Sequence, residues 1–173
     1  MTHPTVIKLH DGTIMPQLGL GVWKAGNDEV VEAIHKALDV GYRSIDTAAA
    51  YKNEEGTGKA LRSAGVPRDE LFITTKLWNG DQQRPKEALQ ESLKKLQLDH
   101  VDLYLMHWPV PALDYFVDGW KGMIELQKQG LAKSIGVCNF QIHHLQRLID
   151  ETGVTPSINQ IELHPLMQQR QLH

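Results

Sequence analysis

The stretches GYRSIDTAAAYKNEEGTG (Gly41–Gly58), LFITTKLW (Leu71–Trp78) and VDLYLMHWP (Val101–Pro109) decide the fold. Each carries a short run rich in β-branched and other apolar residues that ends in polar side chains: Asp46 and then Tyr51 in the first, Lys76 in the second, His107 in the third. In a repeated βα fold, groups at the carboxyl ends of successive strands share one rim, because the strands are parallel and deliver their last residues to the same side. A carboxylate, a phenol, an ammonium and an imidazole are also the groups needed to protonate a carbonyl oxygen, and one bound molecule can meet all four on such a rim.

The alternation extends along the whole chain. Strand-like runs begin near Leu18, Ser44, Leu71, Val101, Ser134 and Ile158, and a helical pattern follows each of the first five. The first helix reads EVVEAIHKALDVG, with Val30, Ile34, Ala37 and Leu38 on one face and Gly41 as its stop signal. The third opens with Pro85 and carries Leu89, Leu93 and Leu96. The fourth shows Phe116, Trp120, Met123 and Ile124, and the fifth Ile142, Leu145 and Ile149. Ahead of the series, VIKLH and TIMPQ flank Asp11-Gly12, a strong hairpin signal, and this N-terminal β-hairpin is expected to plug one end of the barrel.

Alternating βα units fit an open doubly wound sheet or a closed barrel. The open sheet would want a G-x-G-x-x-G turn after the first strand; LGLGVWKAG has Gly19 and Gly21 but Lys24 in the third place, although Asp46 stands where a ribose-binding acid would be sought. The barrel requires polar residues at strand ends, and Asp46, Lys76, His107, Asn139 and Glu162 all terminate apolar runs. The expected fold is therefore an α/β TIM (β/α)8 barrel.

Composition narrows the partners. The chain has 173 residues, 41% hydrophobic and 23% charged, with a net charge of -3, and its basic residues are scattered, which argues against nucleic acid. A single cysteine excludes an internal disulfide framework and agrees with a reducing compartment. The start MTHPTVIKLHDG lacks the pattern of a secretory leader, and no apolar run reaches the roughly 18 residues of a membrane span. A cytoplasmic protein acting on a small molecule is expected.

A tyrosine gives up its proton reluctantly near neutral pH, since its ordinary pKa is about 10. A nearby lysine ammonium favours the phenolate, an aspartate holds the lysine, and a histidine can orient the carbonyl. Tyr51 as acid, Lys76 and Asp46 as its tuning pair and His107 as orienting donor fit these roles. Taken singly, a strand-end Asp is more often a cap and a strand Lys more often faces solvent. The joint pattern Gly41-Tyr42-Arg43-Ser44-Ile45-Asp46-Thr47-Ala48, then Tyr51, Glu54 and Gly58, resembles the signature of the aldo-keto reductases. MIELQKQGLAKSIGVCNF (Met123–Phe140) is similar to their other long motif. One position departs: Thr57 stands where an aliphatic residue is usual, at a helix-packing position.

The resemblance implies a catalytic tetrad of Asp46, Tyr51, Lys76 and His107, and NADPH-dependent reduction of aldehydes and ketones such as 2,5-diketo-D-gluconate, methylglyoxal and keto esters. It further implies that Asn139 and Gln160 hold the nicotinamide carboxamide, with Cys138 and Asp46 beside the cofactor. An amide edge needs a donor and an acceptor, which Asn and Gln both supply. Trp23, Trp78 and Trp108 directly follow three of the strand-like runs, and with His107 they are expected to wall the substrate pocket.

The residues also admit other readings. Cys138 alone suggests a nucleophile, yet no motif-supported base accompanies it. Glu162 and His164, expected to alternate along one strand, could join His107 at a metal and make a metal-dependent barrel hydrolase. His143 and His144 diverge by about 100° on a helix and read as solvated. A (βα)8 barrel takes about 250 residues, so residues 1–173 are expected to form one barrel domain stopping before strands seven and eight. A complete barrel would be a monomer. A chain truly ending there would bare its edges, self-associate and lack the cofactor's phosphate clamp, leaving a non-catalytic scaffold.

Overall fold

The computed structural model of the chain describes residues 5–172; Met1–Pro4, the start of the stretch read for a leader, and His173 lie outside the described residues. An antiparallel hairpin of β1 (Val6–Lys8) and β2 (Ile14–Pro16) comes first. Its turn uses Gly12 at φ 91°, a conformation that suits a residue without Cβ. Six parallel strands then pair in strict sequence order: β3 (Gly19–Gly21), β4 (Ser44–Asp46), β5 (Phe72–Leu77), β6 (Val101–Met106), β7 (Ala132–Cys138) and β8 (Asn159–Gln160).

Helices α1 (Asn27–Asp39), α2 (Glu54–Ser63), α3 (Pro85–Leu96), α4 (Phe116–Lys128) and α5 (Ile142–Thr152) link them. The sheet curls into a part-barrel. Gln160 Nε2 donates to Asp46 Oδ2 at 2.7 Å although their strands stand four steps apart in the sheet. On a flat sheet those strands would be about 19 Å apart at the usual spacing, so the bond requires curvature.

The period of two assigns the faces. Ile45, Ile73, Leu77, Tyr104, Met106, Ile135 and Val137 point to the helices and fill two cores with the stripes of α1 to α4. The other face, carrying Phe72, Leu103, Leu105 and Cys138, is the barrel interior, and Met15 of β2 packs against it. His10 and Asp11 at the hairpin's tip bond Pro156 O and the Ser134 hydroxyl, at 2.9 and 2.6 Å. The hairpin thus covers the end of the barrel where β7 and β8 begin, as anticipated.

All four residues of the anticipated α1 stripe, Val30, Ile34, Ala37 and Leu38, are buried, as are Leu89, Leu93 and Leu96 of α3. The fifth helix departs from expectation. Ile142 is 53% exposed, and the buried positions are His144 and Leu148, with Leu145 partly buried against the same core. His144 is not solvated: its ring lies edge-on to Phe116 and Phe140 at 5.7 and 5.8 Å, and its Nδ1 accepts from Gln141 N at 3.2 Å. Burial, then the neighbouring His143, holds its pKa below the ordinary value. No helix among the described residues is long and apolar enough to cross a membrane.

Helices α1 and α2 cross with almost no separation. A Cβ at Gly56 would lie 2.3 Å from Asn27 O and 2.6 Å from Val30 Cγ1. In an exposed helix Gly→Ala gains up to about 1 kcal/mol; here the added methyl meets backbone. Gly56→Ala is expected to lower stability by about 1–3 kcal/mol, the usual cost of overpacking, measured as a fall in denaturant midpoint. A gain in stability would contradict the close crossing.

Candidate functional site

Asp46 ends β4, Lys76 is next to last in β5 and His107 directly follows β6. Tyr51 closes a single turn of 3-10 helix, Ala49–Tyr51, that leads back over the strand ends. The four residues come together. Lys76 is 1% exposed, and its ammonium donates to the Asp46 carboxylate, to Thr47 O at 3.0 Å and to Tyr51 OH at 3.2 Å. Three acceptors meet the three N–H groups an ammonium carries. Burial alone would lower the Lys76 pKa, but Asp46 and then Tyr51 outweigh it and leave the group above its ordinary value. It is therefore a permanent cation at working pH.

The His107 ring stands edge-on to Tyr51 and Trp78, with centroids 5.8 and 5.3 Å away. Burial first, then the Lys76 charge, lower its pKa from 6.5 to about 4 against a smaller opposing pull from Asp46. The imidazole is neutral at pH 7. Trp23, Trp78 and Trp108 are 67%, 40% and 46% exposed and wall an open cleft of about 780 Å³, whose lining includes Tyr51, His107 and Asn139.

Asn139 follows β7 at φ 61°, and its Nδ2 donates to His107 O at 3.1 Å. None of its described bonds uses Oδ1, so an acceptor is left at the edge of the cleft. Gln160 gives its Nε2 to Asp46 and accepts at Oε1 from the Cys138 thiol at 3.7 Å. Cys138 itself is 2% exposed and burial pushes its pKa to about 12, so the thiol is a poor nucleophile.

Glu162 and His164 do not share a strand. β8 stops at Gln160, and both residues lie beyond it, exposed, with His164 Nε2 at 2.7 Å from Glu162 Oε1. No group of three or more His, Cys, Asp or Glu among the described residues could hold a metal. A two-residue strand carries no alternation past its end.

Residues 17–173 match the sequence profile of the Aldo/keto reductase family. The chain belongs to the aldo/keto reductase family. It is 81% identical to the methylglyoxal reductase DkgA of Salmonella typhimurium over all of its 173 residues, which span 63% of that relative. An aldo/keto reductase of Brucella melitensis superposes with a TM-score of 0.95 at 54% identity, covering 98% of this chain and 67% of that one. The Bombyx mori aldo-keto reductase in complex with NADP gives 0.93 at 42% identity, covering 99% and 62%.

Two features of this aldo/keto reductase site escaped sequence reasoning. The bond from Gln160 to Asp46 joins residues 114 apart, and no local pattern marks it. Asn53, fully buried just before α2, reads as a helix cap, yet its side chain caps nothing.

The His107 shift sets a pH dependence. With a folded pKa near 4 and an ordinary value of 6.5, the unfolded chain binds more protons between them. The contribution is present above pH 6.5 and is lost as pH falls toward 4. Denaturation midpoints measured through that window should fall more steeply for the parent than for His107→Gln. Equal slopes would show that the ring titrates normally.

Proposed function

We propose that the protein carrying this chain reduces aldehydes and ketones with NADPH, Tyr51 being the proton donor. The observation that carries the reading is the Lys76 ammonium donating to the Tyr51 phenol oxygen at 3.2 Å, beside a neutral His107 and inside a cleft walled by tryptophans. Because the phenol oxygen accepts from Lys76, its own proton is free to be given elsewhere.

The nicotinamide, when bound, supplies a hydride to the carbonyl carbon. Asn139 and Gln160 fit its carboxamide, since the amide oxygen of Asn139 is free at the cleft and Gln160 anchors beside it on Asp46. Cys138 acts behind them, through its bond to Gln160. His107 donates one hydrogen bond to the substrate oxygen and orients it. As negative charge grows on that oxygen, Tyr51 transfers its proton, and the resulting phenolate is held by Lys76, whose own charge is balanced by Asp46. Solvent then returns a proton to Tyr51. The tryptophans give the substrate an apolar wall.

Methylglyoxal is the first substrate to test, given the name of the Salmonella relative; 2,5-diketo-D-gluconate and small keto esters follow from the resemblance in sequence. A cytoplasmic location and a monomeric complete barrel complete the reading.

Two experiments on the full-length protein bear on it. Tyr51→Phe should lower kcat for methylglyoxal by at least the ~10²–10⁴-fold typical of general acid catalysis, with NADPH affinity nearly intact; retention of most of the turnover would remove Tyr51 from the role. Fluorescence quenching should give tighter binding of NADPH than of NADH. Equal or tighter NADH binding would overturn the cofactor assignment.

A further inference from the structure

Asparagine is among the best helix-capping residues, because its side-chain oxygen can accept from the first free N–H groups. Asn53 stands at that position for α2 and makes no such bond. Its amide faces away from its own helix. Nδ2 donates to Val22 O at 2.8 Å and to Ala25 O at 3.0 Å, while Oδ1 accepts from the Thr47 hydroxyl at 2.7 Å. The task Asn53 leaves undone is taken by Asn27, the first residue of α1, whose Oδ1 accepts from Gly56 N at 2.7 Å in the first turn of α2. Asn27 thus serves α2 from α1, while Asn53, beside α2, serves the turn that precedes α1.

The two carbonyls that Asn53 holds bracket Trp23 and Lys24 in a turn closed by Ala25 N to Val22 O at 3.2 Å, with Lys24 at φ 69°. Trp23 is the most exposed of the three tryptophans on the cleft. At the amide's other end, Thr47 supplies the carbonyl that accepts from Lys76 Nζ at 3.0 Å. Tyr51 lies two residues before Asn53 in the chain. One buried amide therefore touches the segment carrying a wall of the cleft and the segment carrying a Lys76 partner.

We propose that Asn53 is a positioning residue that fixes Trp23 relative to Tyr51 and Lys76, its nitrogen end setting substrate fit and its oxygen end setting turnover. The inference rests on the cleft being the carbonyl-reducing site proposed above. It extends that reading to a side chain that touches neither substrate nor reacting atoms.

The two ends can be cut separately in the full-length protein. Asn53→Asp keeps an acceptor for Thr47 but sets a carboxylate against two carbonyls, so KM for methylglyoxal should rise roughly tenfold or more, with a smaller change in kcat. In a Trp23→Ala background the same substitution should leave KM unchanged, because the wall it positions is gone. Thr47→Val removes only the bond to Oδ1 and should lower kcat with little effect on KM. Amide exchange in the Val22–Ala25 turn reads the clamp without any substrate and should quicken roughly tenfold or more in Asn53→Asp.

If Asn53→Asp fails to fold, Asn53→Ser replaces it: serine suits the position before a helix yet is too short to hold both carbonyls. Unaltered exchange in the turn, or a KM change of equal size with and without Trp23, would overturn the inference. An unmodified protein that reduces no carbonyl would refute the functional reading and leave the exchange measurement to decide the clamp.

Discussion

A charge taken out of water must find partners, and the Lys76 ammonium, 1% exposed on the inner face of the barrel, sets that requirement for the whole rim. The partners come from different places in the chain. Asp46 ends the neighbouring strand, Thr47 follows it, and Tyr51 comes from the turn that folds back over both. Removing one partner of a buried ion pair typically costs about 3–5 kcal/mol, so the β4–β5 register and the path of residues 47–51 are tied to one nitrogen. Asp46 is itself held from β8 by Gln160, which draws the two sides of the curved sheet toward each other.

The interior leaves room for this arrangement because, beside Phe72, Leu103 and Leu105, much of its lining is small or polar. Gly19 and Gly21 of β3, Ser44 of β4, Thr74 of β5 and Ser134 and Gly136 of β7 share the inner face with Lys76 by the period of two. A Cβ on Gly136 would come within 2.7 Å of Ile158 O and 2.9 Å of Leu105 Cδ2. The apolar bulk sits on the other face, against the helices, which is why the strand runs read as hydrophobic in sequence while a cation hides among them.

Features governed by short-range pattern were legible. The α1 stripe, the Asp11-Gly12 turn and the alternation of strands and helices depend on neighbours a few residues away, and the structure has them as read. Asp46, Lys76 and His107 gather because each stands at the carboxyl end of its strand, and Tyr51 joins them from the turn that follows Asp46. Features set by distant packing were hidden. In α5 Leu145 packs against the core as read, but Ile142 is exposed and the buried positions are His144 and Leu148; Phe116 and Phe140, which receive the His144 ring, turn the helix that way. Asn53 was hidden for a different reason. Its local preference, capping, is real, but it loses to two carbonyls brought close by the α1–α2 crossing.

The same ammonium also separates the two proton-bearing groups on the rim. Burial of the ring first, and then the field of that ammonium, hold His107 neutral, with a pKa near 4, so the imidazole can offer a hydrogen bond but no imidazolium proton at pH 7. The field that depresses an imidazolium stabilises a phenolate, because one carries positive charge and the other negative. On the proposed reading the cation adds to the burial that keeps the histidine from acting as acid, while donating to the phenol oxygen of the tyrosine. Position alone would not do this. A lysine exposed to solvent at the same separations would be screened, and both effects would shrink together. Burial of Lys76, with the partners it obliges, is what keeps that charge unscreened beside both groups.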